Sequence, residues 1–174
     1  MKRTFEHFRY CPRCGRCVEP TLGGPLRCEV CGFVYFFNPA AAVGAFTLGP
    51  DGRLLMLRRA KDPGKGKLGL PGGFIDIDET AEAALEREIG EEVGARIASW
   101  EYLCSEPNQY DYAGVRYPVL DLFYKVRLEE GEVRADREEV AGWTWIAPAK
   151  LRPADLAFVS VRRAFAACRS RLLD

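Results

Sequence analysis

The sequence predicts an α/β domain behind a small metal-stapled appendage, and three features carry that expectation. Four of the seven cysteines fall into two CxxCG units within the first 32 residues. Further along, aliphatic and aromatic runs separated by turn residues read as strands. Two segments, near 80–94 and 158–172, repeat apolar residues at helical spacing. The composition is that of a folded protein: 48% of the 174 residues are apolar, and 25 Lys plus Arg offset 25 Asp plus Glu. That balance excludes a disordered or collagen-like chain and argues against a generic polyanion binder. His7 is the single histidine, so neither a Ser-His-Asp triad nor a His-rich metal site is available. Chemistry must run on carboxylates, cysteines or metals.

Cys11-Pro12-Arg13-Cys14-Gly15 and Cys28-Glu29-Val30-Cys31-Gly32 leave thirteen residues between Cys14 and Cys28. Four thiolates suit a tetrahedral zinc ion, and a two-residue gap lets both sulfurs of one turn reach it. The glycine after each second cysteine supplies left-handed backbone. Cys11, Cys14, Cys28 and Cys31 are the expected zinc ligands. Cys17 is assigned as a spare thiol, because Gly15 follows Cys14 while Arg16 precedes Cys17. Residues 1–36 are too few to bury a core without a metal or a partner, so zinc is expected to be structural in this ribbon. Lys2, Arg3, Arg9, Arg13, Arg16 and Arg27 stand against Glu6, Glu19 and Glu29 and a formally dianionic zinc centre. The sum of about plus one makes nucleic acid an unlikely partner.

No apolar segment follows Met1-Lys2-Arg3-Thr4, so no secretory signal is visible and a cytoplasmic location is expected. The uncharged stretch over residues 33–50 is broken by Asn38-Pro39, Gly44 and Gly49 and falls short of a comfortable membrane span. It reads as buried strand, and the change in composition there sets residues 37–174 apart as a second domain. Ala41–Leu48, the turn Gly49-Pro50-Asp51-Gly52 and the return run Arg53–Arg58 form an expected antiparallel hairpin. A Lys/Gly/Pro loop follows from Arg59 to Gly69. Further strands are expected at Ile97–Cys104, Tyr117–Arg127 and Gly142–Ile146. After Pro153, the stripe Phe158, Val161, Phe165, Cys168 and Leu172 predicts an amphipathic helix packed on a sheet, with Cys168 a small core residue.

A second helix is expected after Thr80, its N-cap, with Ala81, Leu85, Ile89 and Val93 as the apolar stripe and Gly94 as the stop. Its other faces are acidic. Six glutamates lie between Glu79 and Glu92 against one arginine, and Glu88, Glu91 and Glu92 share one turn, where like charges repel. A solvated acidic face is the ordinary reading of such a run. Three details favour a site instead. Carboxylates on one turn suit hard divalent cations. Arg87 is placed four residues from Glu91 to orient it. Pro71-Gly72-Gly73 offers tight backbone for a phosphate near the helix start, and Gly90 inside the helix costs about 1 kcal/mol relative to alanine.

Gly73, five residues, Glu79, seven residues, then Arg87-Glu88-Ile89-Gly90-Glu91-Glu92-Val93-Gly94-Ala95 resembles the Nudix box at every charged and glycine position. The resemblance covers Ala41 to the C-terminus. It implies a Nudix fold, a mixed β-sheet sandwiched between α-helices. It also implies Mg²⁺- or Mn²⁺-dependent hydrolysis of a nucleoside diphosphate linked to another moiety. Glu79, Glu88, Glu91 and Glu92 would form the metal site, with Glu91 and Glu92 catalytic and Arg87 orienting a glutamate. Gly72 and Gly73, with Arg58 and Arg59 upstream, would meet the substrate phosphates, although the basic loop reads equally as a solvated one. Arg137-Glu138-Glu139-Val140 resembles the place where relatives keep a further acid, and Glu139 is favoured over Glu138 as a catalytic base.

A four-cysteine ribbon joined to such a domain is similar to the NADH, ADP-ribose and FAD diphosphatases, among which homodimers are common. NADH diphosphatases carry Ser-Gln-Pro-Trp-Pro-Phe-Pro about ten residues past the box. This chain has Ser105-Glu106-Pro107-Asn108-Gln109-Tyr110-Asp111 there, which favours ADP-ribose, FAD or another dinucleotide. Leu156-Ala157-Phe158 resembles the ADP-ribose and FAD type, and Tyr110, Tyr112 or Tyr117 is available to stack on a base. The competing expectation is a Nudix domain that senses a nucleotide without cleaving it, with a ribbon that binds nucleic acid or protein.

Overall fold

The computed structural model describes residues 1–20, 22–134 and 140–173. Its elements are β1 (Lys2–Arg3), β2 (Leu26–Arg27), β3 (Val34–Tyr35), β4 (Ala40–Leu48), β5 (Leu54–Arg59), β6 (Leu68–Gly69), α1 (Ala81–Val93), β7 (Ile97–Tyr112), β8 (Val115–Leu128), β9 (Val140–Ile146) and α2 (Val159–Leu173). They form two compact units: Met1–Ala40 with Gln109–Val119, and Ala41–Asn108 with Leu120–Asp174.

In the first unit each CxxCG unit folds as a tight knuckle. Gly15 N–H donates to Cys11 O and Gly32 N–H to Cys28 O, both at 2.9 Å. The two glycines take φ of 72° and 71°, a conformation a side chain would strain. The second knuckle is carried by the β2–β3 pair, with Leu26 opposite Tyr35 and Arg27 opposite Val34. Its core is small: Cys11, Val18, Leu26 and Cys28 are buried, and Phe8, Phe33 and Phe37 pack against them. Phe8 stacks on Tyr35 at 5.6 Å, and Phe37 meets both rings edge-on. β1 runs parallel to the start of β8, pairing Lys2 with Val115 and Arg3 with Arg116, so the sheet is mixed. The β7–β8 turn belongs to this unit, with positive φ at both Ala113 and Gly114.

In the second unit β4 lies between β8 and β5, and β6 and β9 both pair antiparallel with β5. Strands apolar at consecutive positions must be covered on both faces, and β4 and β5 are. Phe46, Leu48, Leu54 and Met56 point to one side, where Val161, Phe165, Cys168 and Leu172 of α2 cover them. Val43, Ala45, Leu55 and Leu57 point to the other, against Leu85, Ile89 and Val93 of α1. A sheet between helices, the Nudix arrangement, follows directly. The 49–52 turn closes as the sequence implies, with Gly49 N–H donating to Arg53 O and Leu48 opposite Leu54.

The strands run longer than their apolar runs suggest. β7 spans sixteen residues rather than stopping at Cys104, because its outer half is a polar, alternating ribbon held by pairing with β8. β9 starts at Val140 rather than Gly142, and β6 is a two-residue strand inside the expected loop. Among the described residues one carboxylate is buried: Asp121 of β8 accepts from Asn108 Nδ2 at 2.9 Å and Ser160 Oγ at 2.5 Å, tying β7, β8 and α2 together. Burial pushes its carboxyl above the usual range despite those two donors.

The caps of α1 are those its sequence calls for. Thr80 Oγ1 accepts from Ala83 N–H at 3.1 Å, and Gly94 closes the helix at φ 64°. Thr80→Ala is expected to destabilise the second unit by about 1 kcal/mol, measured as a lower denaturation midpoint in urea at unchanged slope.

Candidate functional site

The site is assembled where the segment after β6 folds back on β4. Ala45 N–H donates to Pro71 O at 2.8 Å, Val43 N–H to Gly73 O at 2.9 Å and Ile75 N–H to Ala41 O at 3.0 Å. This pairing forces the backbone against its neighbours. Gly72 sits at φ 137°, and a Cβ there would collide with the Val43 carbonyl oxygen. A Cβ on Gly73 would collide with the carboxylate of Glu88. Glycine at 72 is thus a steric requirement for bringing the loop onto α1, and a side chain at 73 would push the Glu88 carboxylate from its place.

The glycine backbone serves a carboxylate. Gly72 N–H donates to Glu92 Oε2 at 2.8 Å, so the tight loop anchors an acid of α1 rather than lying free at the helix start. Sequence reasoning expected this backbone to hold a phosphate. The bond to Glu92 has no local sequence signal, since its partners are twenty residues apart.

Arg87 organises the remaining acids. Its Nε donates to Glu79 Oε1 at 2.9 Å and its Nη2 to Glu79 Oε2 at 3.0 Å and Phe74 O at 3.0 Å. Its Nη1 donates to Glu88 Oε1 at 2.8 Å and Glu91 Oε2 at 3.2 Å. These contacts match the five N–H donors of a guanidinium, and the carboxylates, Glu79 first, raise its pKa further. Glu79 also accepts from Asp76 N–H at 3.0 Å, so both its oxygens are occupied. The Arg87 hydrogen bonds hold its carboxyl below the usual range. Glu88 is nearly covered, its side chain 12% exposed, whereas that of Glu91 is 63% exposed.

The basic residues upstream bond to carbonyls of their own loop. Arg58 Nη1 donates to Gly66 O and Arg59 Nε to Pro63 O, each at 2.7 Å, and the Arg59 guanidinium lies 4.9 Å over the Phe158 ring. Both brace the 59–67 loop. Tyr110, Tyr112 and Tyr117 belong to the unit that carries the two CxxCG pairs. Glu138 and Glu139 lie outside the described residues.

Among the described residues, one group of three or more ligating side chains converges within 4.8 Å: Cys11, Cys14, Cys28 and Cys31. Cys11 and Cys31 sulfurs are 3.6 Å apart, as are those of Cys14 and Cys28. A tetrahedron of thiolates about 2.3 Å from zinc has edges of about 3.8 Å, so the set fits a zinc ribbon. N–H groups of Cys31 and Val30, opposed by desolvation, bring the Cys28 thiol down to about 6, while Cys31, against the Phe33 N–H, is pushed up to about 12 by desolvation and the other thiols; metal binding releases the protons the four thiols still hold. Cys17 is exposed and outside the set. The acids of α1 do not converge to that distance. Their oxygen donors on one turn nonetheless suit a hard divalent ion in type. Among the described residues no helix is long and apolar enough to cross a membrane.

A family model described as the NUDIX domain matches residues 38–167, and the chain belongs to this family. The NAD-capped RNA hydrolase NudC of Deinococcus radiodurans is 28% identical over 159 residues, 89% of this chain and 54% of that protein. The ADP-ribose pyrophosphatase of Methanocaldococcus jannaschii is 42% identical over 102 residues, 58% of this chain and 57% of that protein. The chain thus spans little more than half the length of these curated relatives. Among solved structures, the NUDIX domain of Shewanella oneidensis NrtR complexed with ADP ribose superposes with a TM-score of 0.63 at 26% identity, covering 79% of this chain and 90% of that one.

Two outcomes follow from this geometry. A zinc chelator is expected to unfold the ribbon, read as loss of ellipticity and exposure of four more titratable thiols, with zinc restoring both. The Glu79–Arg87 contact supports the fold above the ordinary carboxyl pKa of 4.5 and is lost as pH falls through the lowered native value. Acid titration of Glu79→Gln should therefore show a shallower loss of stability below about pH 4.5 than wild type.

Proposed function

We propose that this chain hydrolyses the diphosphate bond of a nucleoside diphosphate linked to another moiety, releasing a nucleoside monophosphate, with ADP-ribose, FAD or a similar dinucleotide as the favoured class. The observation that carries the reading is the spending of every guanidinium donor of Arg87 on three glutamates and the carbonyl that follows Gly73. A helix that only covered a sheet would have no need to hold like charges together. The names of the Deinococcus and Methanocaldococcus relatives, and the ADP ribose in the Shewanella structure, support the substrate class. The sequence past the box supports it further, since Asn108, Gln109 and Tyr110 stand where the NADH type carries its aromatic and proline array.

In this reading Glu88, Glu91 and Glu92 hold divalent cations, Mg²⁺ or Mn²⁺. Such ions supply neutralisation of the diphosphate charge and a lower pKa for the attacking water. Glu92 is fixed by Gly72 N–H, Glu91 is open to solvent while paired with Arg87, and Glu88 is wedged against Gly73. Glu79, bonded to Arg87 through both oxygens, positions that guanidinium and helps shape the metal site. Arg58 and Arg59 shape their loop and contribute positive potential, and Glu139 is the further acid proposed as base. Zinc in the ribbon is structural.

Purified protein with Mg²⁺ is to be assayed by mass spectrometry against ADP-ribose, NADH, FAD and nucleoside triphosphates. AMP is expected from a dinucleotide, with turnover reduced by about 100-fold or more in Glu92→Gln while the melting temperature stays near wild type. Nucleotide binding without cleavage would replace hydrolysis by sensing, and undiminished turnover in both Glu91→Gln and Glu92→Gln would remove the assigned acids from the reaction.

A further inference from the structure

Away from the glutamates and the ribbon, two cysteines distant in sequence face each other. Cys104 of β7 and Cys168 of α2 lie 64 positions apart, and their sulfurs are 3.5 Å from one another. Both belong to the second unit. Cys168 is 3% exposed among Phe46, Phe165 and Leu172, and Cys104 is half-buried at the edge of that cluster. Beside them, Arg171 of α2 donates to Leu103 O at 3.0 Å and Tyr102 O at 2.9 Å and pairs with Glu101. The two elements are therefore clamped next to the thiols. Among the described residues no third ligating side chain joins the pair, which separates it from the four-sulfur set and leaves dithiol chemistry.

We propose that Cys104 and Cys168 form a reversible disulfide site that staples α2 to β7. A disulfide bond is about 2.05 Å long, so the sulfurs must close by about 1.5 Å from their 3.5 Å separation. The co-reactant is a small-molecule disulfide such as oxidised glutathione. The more accessible Cys104, as thiolate, attacks one of its sulfurs and expels one thiolate, leaving a mixed disulfide. Cys168 then attacks the Cys104 sulfur and expels the second. Two protein thiols are oxidised, one small disulfide is reduced to two thiols, and the two protons released by the cysteines pass to those leaving groups. Burial, then the neighbouring Cys168 and Glu106, push the Cys104 thiol up to about 12, with Arg171 opposing them. Exchange is accordingly slow near neutrality and accelerates as pH rises.

The test uses the full, zinc-loaded chain equilibrated with oxidised glutathione at about pH 8.5, then alkylated, digested and mapped by mass spectrometry. A peptide joining Cys104 to Cys168 is expected, reversed by dithiothreitol. The oxidised protein should melt roughly 5–10 °C above the reduced form. Cys104→Ser should abolish both effects; if that variant does not fold, the oxidised and reduced wild type decide between themselves. Alkylation of both cysteines after equilibration, arrest of Cys104 as the glutathione adduct, or a cross-linked form that melts no higher would each overturn the proposal.

Discussion

Five glutamates on the thirteen residues of α1 would repel one another across successive turns, and the guanidinium of Arg87 makes an ordered array out of that repulsion. Its planar fork can satisfy several acceptors at fixed angles, which a lysine ammonium cannot do. Glu79 occupies one edge of the fork bidentately, and the other side is divided between Glu88 and Glu91. The placement of the acids therefore depends on one side chain, itself tied to the Phe74 carbonyl and so to the segment zipped onto β4. Glu92 is held independently, by the backbone of Gly72. Two separate anchors, one charged and one peptide, converge on a single helix face.

That convergence needs a rigid floor, and the packing supplies it. β4 is buried along seven of its nine residues, with α1 on one side and α2 on the other. Its Val43 and Ala45 N–H groups bond to Gly73 and Pro71, so loop and helix are both referenced to one strand. Moving the loop outward by the width of a methyl group would break the Gly72–Glu92 bond and release Glu88 from Gly73. The two glycines are in this sense structural parts of an electrostatic device.

Much of this was legible in the residues. Both cysteine knuckles, the caps of α1 and the apolar stripes of both helices follow from local rules of spacing and backbone preference, and they appear where those rules put them. The full run of β7 was not legible, because its outer half is stabilised by pairing with β8 and carries little hydrophobic signal of its own. Arg87 was expected to orient one acid; that it reaches Glu79 as well follows from the loop's path, which spacing on the helix does not encode. Arg58 and Arg59 read as free cations in the sequence, but loop carbonyls within eight residues capture them. The Cys104–Cys168 approach is invisible to motif reading, since it depends on how a strand and a helix pack.

The assignment of Gln109–Val119 to the same compact unit as Met1–Ala40 has a consequence for how the molecule can be divided. The ribbon is completed by a piece of chain that begins more than sixty residues after it ends, and β1 finds its partner there. Cutting the polypeptide ahead of β4 would therefore separate β1 from its pairing partner at the start of β8. Unlike a bead on a string, the cysteine-bearing piece shares its unit with a later stretch of chain. A recombination event that transplanted it would have to bring a matching β7–β8 tip along.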